Sequence, residues 1–209
     1  MPVVTATSPQ KAARLFADQL NDLLARTITQ CRVIVTVGSS DNRQLLNLSL
    51  RSSNGPGAPL DTRLGKIVLF LGQICEAEKR SANRFVLHTT KYRYVLAEHS
   101  EEEAFVRWEY EKSPQGPELS GERCRHHMQG SLTVSFRDQK HSLNDWHLPT
   151  GYVPLEEVIR FCIVDLGVKP ISADWSNVLR QSYENFRDNL RCPGVEECPY
   201  PDVWRGDSA

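Results

Sequence analysis

The chain has 209 residues, of which 40% are hydrophobic, and carries 25 Lys and Arg against 26 Asp and Glu. This near-neutral, scattered charge excludes the long-range basic field of a non-specific nucleic-acid binder, so any RNA or DNA contact must be local. No run of about 18 apolar residues is present to cross a bilayer, and Met1-Pro-Val-Val-Thr-Ala-Thr7 lacks a leader pattern. The expectation is therefore a soluble, cytoplasmic protein without membrane contact, its cysteines kept as thiols.

Ser8-Pro9 opens a helix on which Phe16, Leu20, Leu23, Leu24 and Ile28 recur at helical spacing. Cys31 to Val37 and Leu45 to Leu50, separated by turn-forming residues, predict a hairpin. Asn54-Gly-Pro-Gly-Ala-Pro59 mixes flexible glycines with prolines that lack a donor and predicts an exposed loop. Lys66 to Leu71 restarts an apolar run, and Ile74 to Arg84 leans helical. Phe85 to Glu98 alternates as one or two strands with Tyr92, Tyr94 and Leu96 on one face.

Glu103 to Glu111 is the cleanest strand, with Phe105, Arg107 and Glu109 on one face and Val106, Trp108 and Tyr110 on the other. Ser113-Pro-Gln-Gly-Pro-Glu118 interrupts the pattern. Arg123 to Gln129 and Leu132 to Phe136 resume it, with a turn or bulge at Gly130, and an antiparallel meander would bring these runs together. Leu155, Val158, Ile159, Cys162, Ile163 and Leu166, between Pro154 and Gly167, then predict a helix. A second helix runs from about Ala173 to Leu190 on Trp175, Val178, Leu179, Tyr183 and Phe186. The predicted architecture is α+β: one domain over residues 1–190, a twisted antiparallel sheet packed against N- and C-terminal helices, with 191–209 a loosely ordered tail.

The densest chemistry lies in Gly121-Glu-Arg-Cys-Arg-His-His-Met-Gln-Gly130. As extended backbone it places Arg123, Arg125, His127 and Gln129 on one side and Cys124, His126 and Met128 on the other. Metal-independent cleavage of RNA needs a base for the 2′-hydroxyl, an acid for the leaving oxygen and cations over the phosphate. His127, with His126 beside it, is the candidate acid or base, Glu109 the complementary carboxylate, and Arg107 and Arg125 the phosphate clamp, supported by Arg123. Tyr94, Tyr110 or Trp108 would stack a base, and His147 would approach from the loop before the helix. These four tips, Arg107, Glu109, Arg125 and His127, are expected to converge within about 8 Å.

Competing explanations are plain. An Arg and a Glu two apart on a strand commonly form cross-strand ion pairs, and adjacent histidines on a strand face opposite ways and do not readily share a metal. Cys31 and Cys162 sit in apolar runs as core residues. Cys192 and Cys198 could close a small disulfide or hold half of a metal site, but no second ligand pair accompanies them, so no metal or cofactor is expected. Cys124 lies on the side expected to face the core, and no serine nucleophile motif is present.

Tyr92-Arg-Tyr94, Arg107-Trp-Glu-Tyr110, His126-His127 and Leu155-Glu-Glu-Val158 occur in an order that resembles the TumE-type toxins of bacterial toxin–antitoxin modules. The similarity spans roughly residues 85 to 167. It implies an RNase-like toxin with a protein antitoxin as partner and RNA as substrate. The alternative is a non-catalytic protein–protein interaction module, in which the helices at 154–166 and 173–190 and the N-terminal helix dock a partner or a second copy in a homodimer.

Overall fold

Ser8 begins the first helix by accepting the Lys11 N–H at its hydroxyl, 3.2 Å away, and Pro9 occupies the first turn, where its missing N–H costs nothing. The helix, α1 (Pro9–Thr27), buries one stripe: Ala12, Ala13, Phe16, Ala17, Leu20, Leu23, Leu24 and Thr27. In this computed structural model residues 5–40, 43–81, 84–111, 126–131, 133–136, 139–142 and 148–189 are described.

The strands are β1 (Thr5–Ala6), β2 (Arg32–Ser40), β3 (Arg43–Ser52), β4 (Gly55–Pro56), β5 (Ala58–Thr62), β6 (Gly65–Ser81), β7 (Arg84–Ala97), β8 (Ala104–Glu111), β9 (His126–Gln129), β10 (Thr133–Phe136), β11 (Gln139–Ser142) and β12 (Leu148–Pro149). One sheet runs in the order β12-β9-β8-β7-β6-β3-β2, with antiparallel pairing throughout. β1 joins β7, β4 joins β3 and β5 joins β6 at its margins. The helices α2 (Leu155–Val164) and α3 (Trp175–Asn189) complete the fold. The architecture is α+β, an antiparallel sheet with helices from both ends of the chain.

All three helices lie on one face of the sheet. Leu46, Leu48, Leu50, Leu69, Leu71, Tyr92, Tyr94, Leu96, Val106 and Trp108 form its floor, and α1, α2 and α3 contribute residues such as Leu20, Leu24, Ile159, Cys162 and Leu179. The apolar stripes of the helices are thus spent on the core. Each helix is amphipathic because one side covers the sheet. Cys162 and Cys75 are buried, and Cys31 is half-buried against the same core.

Two local expectations are overturned. The 54–59 segment is not a free loop, because Gly55–Pro56 pairs with β3, Gly57 turns at φ +80°, and Ala58 starts a strand on β6. Pro59 is tolerated because, among the described residues, β5 is bonded to β6 alone. Ile74 to Ser81 is not helical: β6 runs to Ser81, paired with β7 apart from irregularities at Ile74/Cys75 and Lys79/Ser81. The Glu-Ala-Glu-Lys-Arg run favours helix by intrinsic preference, a few tenths of a kcal/mol per residue at most, and a continuous ladder overrides it (about 0.5–1.5 kcal/mol per hydrogen bond).

The expected meander differs beyond Gly130. β10 pairs with β11 in a separate two-stranded sheet, so the run after Gly130 leaves the meander. A side chain on Gly130 would meet the Phe105 carbonyl oxygen, to whose level the chain is drawn by a bond from Ser131 N–H. The tail at 191–209, with Cys192 and Cys198, lies outside the described residues.

Glu156, in the first turn of α2, is almost completely buried and accepts the Ser182 hydroxyl at 2.6 Å. Burial pushes its carboxyl above the ordinary value of 4.5, with the Ser182 bond acting in the opposite direction. The folded chain therefore holds this proton more tightly than the unfolded chain. Its stabilising contribution is complete below the ordinary value and is lost as pH rises through the folded value. In urea-unfolding midpoints measured from about pH 4 to 8, Glu156→Gln should remove that decline. An unchanged slope would mean the carboxyl titrates normally.

Candidate functional site

Two-residue alternation sends Arg107 and Glu109 of β8 to the face opposite the helices, while Val106 and Trp108 enter the core. Antiparallel pairing with β9 sets Glu109 directly across from His127 and Arg107 across from Gln129. On the other side β7 sets Arg93 across from Glu109. Five polar side chains from three consecutive strands thereby meet on one patch.

Glu109 is its centre. His127 Nε2 lies 3.3 Å from Oε2, Arg107 Nε 3.7 Å from that same oxygen, and Arg93 Nε 2.9 Å from Oε1. Arg93 approaches Oε1 as a charge only, since its Nε–H makes no hydrogen bond; its Nη1 instead donates to Glu101 at 3.0 Å. Arg107 Nε donates to Gln129 Oε1 at 2.8 Å. Its two terminal amino groups have no partner among the described residues.

A hydrogen bond from His127 is the largest influence holding the Glu109 carboxyl below its ordinary value; the Arg93 and Arg107 charges add to it, and partial burial opposes them. Glu109 is therefore an ionised acceptor at neutral pH, not a proton donor. What it can do is hold the imidazole with its proton on Nε2 and Nδ1 as the acceptor nitrogen. The His127 side chain is 15% exposed, so solvent reaches it.

His126 projects to the opposite face, among aromatic rings. It stacks on Tyr110 with centroids 4.4 Å apart and packs near Tyr92 and Tyr152. The Tyr92 hydroxyl accepts the Val153 N–H at 3.1 Å and lies 3.2 Å from His126 Nδ1. The two imidazoles thus serve separate surroundings, and His126 does not join the Glu109 cluster.

Burial removes Tyr94 and Trp108 as base-stacking rings, whereas Tyr110 is half-buried. Tyr94 is fully buried, stacks on Tyr92, and accepts a bond from Gln73 Nε2 at 2.6 Å; burial raises its hydroxyl pKa well above the ordinary value. Trp108 packs edge-on against Phe161 of α2, and one face of Tyr110 is taken by His126. Tyr94→Phe should leave Gln73 without an acceptor inside the core and lower the unfolding free energy by about 1–3 kcal/mol, read from urea curves. A neutral result would mean Gln73 finds another partner.

Of the residues expected to act together, Arg107, Glu109 and His127 converge. Arg123, Arg125 and His147 lie outside the described residues. Arg93 was not anticipated. Its signal lay in Tyr92-Arg-Tyr94, where two core-facing tyrosines oblige the residue between them to face outward. Among the described residues, no three of His, Cys, Asp or Glu are grouped to hold a metal ion. A groove of about 440 Å³ lies elsewhere, between α1 and α3, and is lined by Leu15, Leu23, Val178 and Ser182 among others. No protein-family model, curated protein or solved structure matches this chain. No helix among the described residues is long and apolar enough to cross a membrane.

Proposed function

We propose that the chain is an RNase-like toxin that cleaves RNA at the patch formed by Arg107, Glu109 and His127. The observation that carries the reading is the His127–Glu109–Arg107 convergence: an imidazole oriented by an ionised carboxylate, with a guanidinium beside it whose terminal amino groups have no partner among the described residues. In the proposed step the 2′-hydroxyl proton passes to His127 Nδ1, the 2′-oxygen bonds phosphorus, and the 5′-oxygen leaves with a proton from water. Arg107 contacts the phosphate oxygens as their charge grows. The resemblance of residues 85–167 to TumE-type toxins agrees with this chemistry and suggests an antitoxin as partner.

One observation favours the second reading, a non-catalytic interaction module. Arg93 and Arg107 are balanced by Glu101 and Glu109, so the patch carries little net charge when His127 is neutral. The test is cleavage of single-stranded RNA by the purified chain, with and without a chelator, beside growth inhibition on expression. Cleavage that survives chelation supports the proposal. Intact RNA together with unimpaired growth supports the interaction module.

A further inference from the structure

We propose that the outer edge of β2 is a self-association surface on which two copies of the chain join their sheets antiparallel about a two-fold axis at Val37. The proposal goes beyond the cleavage reading and does not rest on it.

β2 ends the sheet order, so among the described residues no other strand covers one side of its backbone. Which groups face that side is settled by Asn21 of α1. Its carboxamide accepts the Val33 N–H at 2.7 Å and donates to the Val33 carbonyl at 3.2 Å. Both backbone groups of Val33 therefore point away from β3. The β2–β3 register continues without a shift from Arg32 to Ser40, so Val35, Val37 and Ser39 present their N–H and C=O groups the same way. None of these is bonded among the described residues.

Asn21 plugs the first outward position and leaves three. That set is symmetric about Val37. Antiparallel pairing of two copies opposes Val35 to Ser39, Val37 to Val37 and Ser39 to Val35, each pair exchanging two bonds. The contact is isologous and closes at two copies.

Side chains agree with the backbone. Ile34 is 42% exposed and Val37 53% exposed, and they project from opposite faces of β2. After Arg32 the strand Val-Ile-Val-Thr-Val-Gly-Ser-Ser contains no charge and no proline, the usual means by which a sheet edge resists pairing. The cleavage patch lies on β7, β8 and β9, with β6 and β3 between it and this edge. Joined sheets would hold the two patches apart at opposite ends, and cleavage per chain should be indifferent to association.

The experiment is sedimentation velocity of the whole chain across about 1–200 µM, a range matched to a modest edge contact. The expected result is a shift from the 23.7 kDa monomer toward twice that mass. Val37→Pro removes the outward N–H while leaving the β3 ladder intact, since position 37 does not donate to β3. It should weaken association at least about tenfold, or about 1.4 kcal/mol. Val37→Lys, which sets two like charges together on the axis, should act in the same direction. Thermal unfolding of both variants checks that they fold. A chain monomeric across the whole range overturns the proposal, as does folded Val37→Pro or Val37→Lys associating as tightly as the parent.

Discussion

His127→Ala is expected to reduce RNA cleavage by about 10²–10⁴-fold, the span usual for removing a positioned general base, with little change in the unfolding midpoint. The ring is solvent-accessible on the open face of the sheet, and the β8–β9 backbone pairing that sets it against Glu109 does not need it. Glu109→Gln sharpens the test. An amide in place of the carboxylate can present its NH₂ to His127 and reverse the tautomer, so cleavage should fall although the imidazole is present. Loss of cleavage in both variants, with RNA affinity retained, would support acid–base chemistry at this pair. A parent-like rate in either would remove the pair from the mechanism. The same variants report on the rival reading, because a neutral ion-pair patch would respond with modest changes in stability and none in catalysis.

Trp108→Ala should lower the unfolding free energy by about 3–5 kcal/mol, as expected for truncating a buried aromatic residue. Trp108 stands between Arg107 and Glu109 in sequence, yet it is buried on the far face of β8, edge-on to Phe161 at 5.7 Å between centroids. It joins the sheet to α2. The effect should appear in urea unfolding, whereas Trp108→Phe should retain most of the stability and leave RNA affinity unchanged. Reduced RNA affinity in a stable Trp108→Phe variant would instead place the ring at the ligand surface.

The outcome at Trp108 and Tyr94 shows how much of the site was legible beforehand. Alternation alone separated Arg107 and Glu109 from Val106, Trp108 and Tyr110, and His127 from His126, because side-chain direction on a strand follows sequence parity. It does not say which face is covered. Tyr94 and Trp108 suit RNA stacking by sequence because an aromatic ring fits either a core or a ligand, and the choice is made by α2 and Gln73 arriving from distant sequence. The sequence leaves the part of the Glu109 carboxylate open for a related reason: carboxylate chemistry depends on neighbours, and Arg93 and His127 become neighbours only when β7 and β9 flank β8.

Local chemistry in the sequence determined the helix at Ser8-Pro9, the parity of the β8 and β9 side chains, and the change from strand to helical period near residue 154. Those features depend on residues a few positions apart. Tertiary structure alone decided that Glu-Ala-Glu-Lys-Arg would be strand, that Gly57 and Ala58 would be buried, and that Arg93 would join Glu109. Each of these depends on a partner strand, whose hydrogen bonds and charges act only once the chain has folded back beside it.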